Sequence, residues 1–400
     1  MQAYGYMDSI LYFVFTIGFM IYEYGIVHFI RLSLTHLWIW YHVIYEYLSE
    51  RYFLPFPLQG KVCQRATGWE FIISRLLKHN FNQFNSKEVK AILHGTVFRL
   101  LHRIRYLREF GHGLGDIIHK EVQIPVRGSW LSSKSRGEEY DLVIIYIHGS
   151  WILGGTIDLY IEYLMLWVVT LQEQGFSNPA IFAPEITNNK TQSGSLITTF
   201  ENLSKTNRHI VITGDSIGAT LAMSLQLDIQ NRIEKRFFNS KPSILLLISP
   251  ITQFEFNDTD LTKPTNDYID LRLIKKWGFK IVPGLFPGQV DTMIWERALP
   301  EYGTIISYGS EESIVKYTEE FILKLQSIND CKLKIDRQQS QVHNWAILNF
   351  YSERLIEHRE ESLQSYSATI SRLLLANTKS YFSNSSSGPA TIVTIDEERV

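Results

Sequence analysis

The chain has 400 residues, of which 45% are hydrophobic and 20% are charged, and its formal net charge is −2. This length suits one large domain with additional segments, and the nearly neutral charge gives no electrostatic basis for binding nucleic acid. The two cysteines, Cys63 and Cys331, are too few for a disulfide framework.

The first strongly apolar stretch is Ile10–Ile30, which contains a single charged residue, Glu23. A bilayer is crossed by about 20 such residues, and the later Trp38 and Trp40 suit an interfacial belt. Residues 1–50 are therefore predicted to be a membrane-anchoring segment, with one spanning helix followed by an interfacial or re-entrant helix. The alternative is a buried hairpin of core helices, which a glutamate in the middle of the span favours.

Orientation in the membrane stays open at this stage. Basic residues such as Arg31 and Arg51 follow the apolar stretch, which by the positive-inside rule would keep the remainder cytosolic. Possible glycosylation sequons would fit a lumenal domain instead, although this composition produces such sequons by chance. They lie at Asn189, Asn202, Asn257 and Asn384.

Residues 51–120 are predicted to form a helical linker or cap. Within them, Ser86–Phe110 has an apolar stripe at helical spacing. The opposite face is basic and suits either solvent or lipid headgroups; it carries His102, Arg103, Arg105 and Arg108.

Residues 121–362 alternate between short apolar runs and helical patterns, which predicts an α/β doubly wound, mostly parallel sheet. The predicted strands are Glu121–Pro125, Asp141–Ile147, Ala180–Ala183, His209–Thr213, Ser243–Ser249, Gly303–Tyr308 and Lys332–Asp336.

Residues 256–295 are polar and rich in proline, which suggests an insertion over the site. One amphipathic helix is expected from Trp345 to about Glu361. Residues 363–400 are expected to be a C-terminal extension that is disordered from about 377.

The chain is organised around the sequence Gly214-Asp-Ser-Ile-Gly218, which follows a β-branched run and precedes a helical pattern. A strand, a sharp turn with a central serine and a helix are the context of a G-x-S-x-G nucleophile elbow. Ser216 is the predicted nucleophile; the alternative is an ordinary turn with a capping serine.

A serine nucleophile needs a base, and only two histidines follow Ser216. His358 lies in a charged helical segment, which suits a solvated histidine. His343 lies between the last strand and the last helix, where this fold class places its base. His343 is therefore the predicted base.

The acid is expected after the strand Gly303–Tyr308, where Glu311 and Glu312 stand and no aspartate does. Aspartates that precede this strand are poorer candidates; they are Asp258, Asp260, Asp267, Asp270 and Asp291. The developing negative charge on the substrate needs N–H donors. The Ile217 amide is one, and the loop at His148-Gly149 is expected to supply the other.

The GDSIG elbow, the strand-borne HG loop, the acidic loop after GTIISYG and the VHNW loop together resemble the hormone-sensitive-lipase-like branch of α/β hydrolases. Within it, the likeness is greatest to fungal steryl acetyl hydrolases, membrane-anchored esterases that deacetylate sterol acetates. The resemblance covers about Val122–Glu361. It implies Ser216, His343 and Glu312 or its neighbour as the triad, and oxyanion donors from the amides of Gly149, Ser150 and Ile217.

Two departures from this branch are visible. Ser150 and Trp151 replace glycines of the usual His-Gly-Gly-Gly loop, and Glu-Glu replaces the usual aspartate loop. Placing the acid by its distance to the following helix favours Glu312, whereas its distance from Gly309 would allow Glu311. Glu312 is the prediction.

The expected function is a serine carboxylic-ester hydrolase that deacetylates sterol or other lipid acetate esters, at the endoplasmic reticulum membrane with a single pass. Alternatives are an arylformamidase-like or xenobiotic esterase of the same fold, and a catalytically weakened lipid-binding protein. No cofactor, metal, nucleic acid or obligate protein partner is expected, since the residues show no ligand spacing and triad chemistry needs none.

Overall fold

The computed structural model describes residues 6–83, 89, 93–108, 117–122, 126–133, 139–150, 155–186, 192–207, 209–235, 240–263, 265–281, 286–353 and 356–380. Its strands are β1 (Ile117–Val122), β2 (Gly128–Ser133), β3 (Leu142–Ile147), β4 (Pro179–Pro184), β5 (Ile210–Asp215), β6 (Ile244–Ile248), β7 (Gly303–Gly309) and β8 (Leu333–Gln338).

Its helices are α1 (Tyr6–Tyr24), α2 (Ile26–Leu48), α3 (Lys61–Arg65), α4 (Gly68–Gln83), α5 (Gly95–Arg108), α6 (Ile161–Glu173), α7 (Gln192–Leu203), α8 (Ile217–Glu234), α9 (Asp258–Leu261), α10 (Leu271–Ile281), α11 (Thr292–Ala298), α12 (Val315–Gln326), α13 (Trp345–Ser352) and α14 (Ile356–Ser380).

Within the described ranges, the strands form one eight-stranded sheet in the order β1-β2-β4-β3-β5-β6-β7-β8. β2 runs antiparallel to both of its neighbours, and every other pairing is parallel. Every residue of the central strands β3, β5 and β6 is buried, because helices cover both faces of the sheet. The doubly wound, mostly parallel sheet predicted from the sequence is confirmed.

The sheet carries its two apolar layers on opposite faces. Side chains from α6, α13 and α14 pack into one layer, and side chains from α7, α8, α11 and α12 pack into the other. This arrangement brings the carboxyl ends of β5, β6, β7 and β8 to one edge, where the loops that follow them meet.

The N-terminal stretch forms two helices, not the single spanning helix expected over Ile10–Ile30. Gly25 separates α1 from α2 with φ +80°, a left-handed conformation that ends a right-handed helix. α1 packs against α2 and α5, and α2 packs against α4. No helix in the described part of the chain combines the length and apolarity needed to cross a membrane, so the prediction of one spanning helix is wrong.

A buried ion cluster holds α1 to the rest of the molecule. Arg105 of α5 donates from Nη1 to Asp8 Oδ2 at 2.6 Å and from Nε to Glu162 Oε1 at 2.9 Å. All three side chains are buried. The basic face expected on this helix is therefore wrong for Arg105, since this guanidinium points into the protein and pairs with two carboxylates.

The C-terminal region differs from its expected boundaries. Two helices, α13 and α14, replace the single helix expected up to about Glu361. Leu363, Tyr366 and Ile370 of α14 are buried in the layer that covers the sheet, so the core extends beyond residue 362. α14 reaches Ser380, which includes four residues of the expected disordered tail; residues 381–400 lie outside the described ranges.

Candidate active site

The turn between β5 and α8 places Ser216 at a strained backbone conformation, with φ 55° and ψ −121°. The following helix passes very close to β3, and a Cβ at Gly218 would overlap the carbonyl oxygen of Ile147. A glycine is thus required there for the strand and the helix to approach. The strain at Ser216 projects its hydroxyl toward the edge where the loops meet, as a nucleophile elbow does.

The three predicted catalytic side chains lie in one hydrogen-bonded line. His343 Nε2 is 2.7 Å from Ser216 Oγ, and His343 Nδ1 is 3.2 Å from Glu312 Oε2. Ser216 is 8% exposed, whereas His343 and Glu312 are almost completely buried. The loops after β5, β7 and β8 supply one residue each, so the chain brings together residues that are distant in sequence.

The structure distinguishes the two candidate acids. Glu312 Oε1 accepts hydrogen bonds from Ser249 Oγ and from the Gly309 amide, each at 2.6 Å, which leaves Oε2 for His343. Glu311 lies instead near the exposed Lys61 ammonium, at 3.7 Å. Glu312 is therefore the carboxylate that faces His343, while Glu311 forms a surface ion pair that contributes little free energy.

The electrostatic surroundings of His343 favour its protonated form. Burial by itself lowers the pKa of His343, but the hydrogen bond and charge of Glu312, with the charges of Asp267 and Asp215, raise this pKa above its ordinary value. An imidazole in this setting takes a proton from Ser216 more readily, since the imidazolium that forms is stabilised by carboxylates.

The expected oxyanion donors are placed less favourably. The Gly149 amide donates to Asp215 Oδ1 at 2.9 Å, so its role as an oxyanion donor stays a prediction that requires this bond to be exchanged. The Ser150 amide donates to the Tyr160 hydroxyl at 3.2 Å and would have to exchange that bond to serve a substrate. Within the described residues, the Ile217 amide has no acceptor. Trp151 lies outside the described residues.

Asp215, which the sequence analysis did not single out, organises this side of the site. Its carboxylate accepts hydrogen bonds from the Tyr146 hydroxyl, the Gly149 amide, the Tyr160 hydroxyl and Asn344 Nδ2, at 2.7–3.1 Å. Burial raises its pKa, and these four donors work against that rise. In the sequence, only its position next to Ser216 pointed to a role for Asp215. Its hydrogen-bond partners come from three other segments of the chain, which the sequence does not bring together.

Ser249 is a second residue that the sequence analysis missed. It follows β6 with φ 46°, donates to Glu312 and accepts from the Asn344 amide at 2.9 Å. A single hydroxyl thus links the loop of the acid to the loop of the base. From the sequence, Ser249 was predicted only as the last residue of a strand, before Pro250.

A cavity of about 840 Å³ opens at Ser216. Its walls come from α1, α2, α4 and α5 on one side and from the 256–295 insertion and α13 on the other. Asp8 is the one charged residue among its described lining residues, and Arg105 holds that carboxylate. The described residues contain no group of three or more histidines, cysteines or carboxylates that would hold a metal ion.

Solved structures of esterases and lipases share the fold of this chain. The chain is similar to carboxyl esterase 2 from the mycorrhizal fungus Tuber melanosporum, at 18% identity and a TM-score of 0.50, over 64% of this chain and 88% of that one. It is also similar to a hormone-sensitive lipase from a metagenome library, at 15% identity and a TM-score of 0.55, over 76% and 98%. The chain has the α/β-hydrolase fold.

An esterase from the bacterial hormone-sensitive lipase family gives the same picture, at 11% identity and a TM-score of 0.55, over 76% of this chain and 98% of that one. No protein-family model and no curated protein sequence matches the chain. The likeness therefore establishes the α/β-hydrolase fold, whereas the chemistry has to be argued from the site itself.

Proposed function

We propose that this α/β-hydrolase is a serine carboxylic-ester hydrolase that deacetylates sterol or other lipid acetate esters at a membrane. The observation that carries the proposal is the Ser216–His343–Glu312 line, which opens into a large apolar cavity. Ser216 attacks the ester carbonyl while His343 takes its proton. His343 then protonates the leaving alcohol, and water releases the acyl group by the same route.

The cavity supports an uncharged, apolar alcohol portion in the substrate. Cavities that bind small molecules have volumes of roughly 300–1,000 Å³, so this cavity is at the large end of that range. Its lining is dominated by aliphatic and aromatic side chains, including Trp40, Trp69 and Phe254. The acetyl part of the proposal rests on the resemblance in the sequence motifs.

The exposed apolar side chains of α1 and α2, the exposed α1–α2 face, support action at a membrane, for which we propose the endoplasmic reticulum. Large apolar side chains that are 40–86% exposed line this face, among them Ile10, Val14, Ile17, Leu34 and Leu37. Exposed patches of this kind mark protein or membrane contacts. Phe13 belongs to this face and also lines the cavity. The face proposed to contact lipid is therefore continuous with the wall of the cavity proposed to bind the substrate.

The decisive test of the chemistry is labelling by a fluorophosphonate, which reacts only with an activated serine. We expect the wild type to label, and the Ser216→Ala and His343→Ala variants to lose labelling and short-chain ester hydrolysis by at least about 10⁴-fold. A folded wild type that does not label would contradict the proposal.

That contrary outcome would favour a catalytically weakened lipid-binding protein. The observation in favour of this second function is that the Gly149 and Ser150 amides are both engaged by other groups. The same labelling experiment therefore separates an enzyme from a binding protein.

A substrate panel tests the ester class. Sterol acetates, long-chain acyl esters and formyl amides would be compared by kcat/KM. We expect the highest value for acetates of bulky apolar alcohols, since the cavity suits the alcohol portion. Preference for a formyl amide would favour the arylformamidase-like alternative.

Vesicle flotation tests the membrane contact. Leu37 on α2 and Leu323 on α12 are both 65% exposed, which makes them a matched pair. We expect Leu37→Asp to weaken binding to neutral phospholipid vesicles severalfold and Leu323→Asp to leave binding unchanged. Equal effects of the two substitutions would remove the exposed α1–α2 face from the proposal.

A further inference from the structure

We propose that Asp267 is a positioning residue for the base, through which the 256–295 insertion holds His343 in place and adds a second negative charge behind the imidazole. The inference rests on the proposed function, because it concerns the same Ser216–His343–Glu312 site. In the sequence, Asp267 is one of the poorer candidates for the acid because it precedes β7. Its carboxylate does not contact the imidazole nitrogens of His343.

The hydrogen bonds of Asp267 connect both loops of the acid–base pair. Its Oδ1 accepts from the His343 backbone amide at 3.0 Å, and its Oδ2 accepts from the Ser313 amide at 2.9 Å. Ser313 directly follows the acid Glu312. One carboxylate thereby fixes the loop after β7 and the loop after β8 at once, and it does so from a segment outside the sheet.

The charge of this carboxylate acts on the imidazole. Asp267 is completely buried, and its negative charge contributes to the raised pKa of His343. Burial raises the pKa of Asp267 to about 6; the charge of Glu312 adds to that rise, whereas the charge of His343 and the backbone hydrogen bonds oppose it. The titratable groups that face Asp267 are His343, Glu312, Tyr268 and Lys78.

The same segment reaches the substrate cavity. Tyr268 and Ile269, which follow Asp267 in the chain, both line the cavity, and the Tyr268 ring packs edge-on to the His343 ring at 6.1 Å between centroids. A ligand that moves this wall therefore acts on the residue that holds the base. This connection makes Asp267 the link between the substrate-binding wall and the triad.

The test is the pH profile of kcat/KM for Asp267→Asn against the wild type. The acid limb reports protonation of His343, so removal of a nearby negative charge should move its midpoint to lower pH, by about half a unit. Since the imidazolium also loses stabilisation in the transition state, kcat should fall about three- to tenfold. Asp270→Asn is the matched control, because Asp270 lies on the same segment and pairs with Arg272 instead.

If Asp267→Asn lowers kcat but leaves the midpoint of the acid limb unchanged, Asp267 has only a structural role and the proposal is overturned. A pH profile of Asp267→Asn identical to that of the wild type would overturn it as well. Asp267→Ser is a second neutral variant. In Asp267→Asn, the NH₂ group of the new side chain would face the Ser313 N–H, and two donors repel each other. A serine hydroxyl can instead accept a hydrogen bond from that N–H. Asp267→Glu keeps the negative charge and should therefore keep the midpoint of the acid limb at its wild-type value. If no neutral residue at 267 permits folding, the proposal also fails.

A wild type without esterase activity would instead overturn the proposed function. The wild-type measurement therefore separates the failure of the function from the failure of this inference.

Discussion

The two sides of the candidate site differ in how completely they are prepared for ester hydrolysis. On the acid–base side, Glu312, His343 and Ser216 lie in line, and Ser249 and Asp267 hold the loops that carry them. On the oxyanion side, the Gly149 and Ser150 amides are bound to Asp215 and Tyr160. The first side is ready for proton transfer, whereas the second needs a hydrogen bond to be exchanged.

The difference shows which part of the candidate site has to rearrange when a substrate binds. Hydrogen-bond donors stabilise the oxyanion only when they point to its position before the reaction. A substrate that displaces the Tyr160 hydroxyl from the Ser150 amide would complete the site as it binds.

Replacement of the acid should have the largest effect. Glu312→Gln replaces one carboxylate oxygen by an amide donor, which cannot hold the required tautomer of His343. We expect kcat to fall by about 10³–10⁴-fold. Glu311→Gln is the control and should change kcat by less than about twofold, because its partner is a surface lysine. The reverse order of these effects would contradict the assignment of the acid.

Asp215→Asn should have a smaller effect on the opposite side of the site. An amide can accept fewer of the four hydrogen bonds that the carboxylate accepts, so the loop at Gly149 loses its anchor. We expect kcat to fall about 10–100-fold and the midpoint of thermal unfolding to fall as well. Asp258→Asn on the exposed surface is the control. An unchanged kcat would show that the loop keeps its place without this anchor.

The pH dependence tests the state of the base. His343 has to be neutral to accept the Ser216 proton, and its pKa is raised, so activity is lost as pH falls through a value above the ordinary 6.5. Below that midpoint, kcat/KM should fall about tenfold per pH unit. In Glu312→Gln, the loss of the charge should move the midpoint to lower pH. A wild-type midpoint below 6.5 would contradict the described surroundings of the imidazole.

Tyr160→Phe should have the smallest effect and bears most directly on the contrast. This change removes the hydroxyl that accepts from the Ser150 amide and so frees that N–H for the substrate. We expect kcat to rise by up to about threefold, because a neutral hydrogen bond of modest strength no longer competes. A fall of more than about tenfold would show that the hydroxyl itself is required.

The sequence predicted those parts of the molecule that local pattern determines. The buried strands β3, β5 and β6 are continuous apolar runs, and the elbow is defined by glycines two residues to either side of Ser216. His343 followed from the order of the chain, since few histidines come after the nucleophile. The choice of Glu312 rested on its spacing from the following helix.

The remaining features depend on contacts between distant segments. Gly149 meets Asp215 across 66 positions, and Arg105 meets Asp8 across 97. Residue types alone give no indication of either contact. The N-terminal stretch shows the same limit, because apolar composition alone does not show where a helix ends. The break between α1 and α2 comes at Gly25, where φ is +80°.

The Asp8–Arg105–Glu162 cluster makes the first helix an integral part of the folded protein rather than a separable segment. Loss of α1 by proteolysis or alternative translation would remove Asp8 and leave the buried Arg105 guanidinium with Glu162 as its remaining carboxylate partner among the described residues. It would also open the cavity, since Tyr12 and Phe13 form part of its wall. A shortened form would then be less stable and, under the proposed function, less selective among substrates.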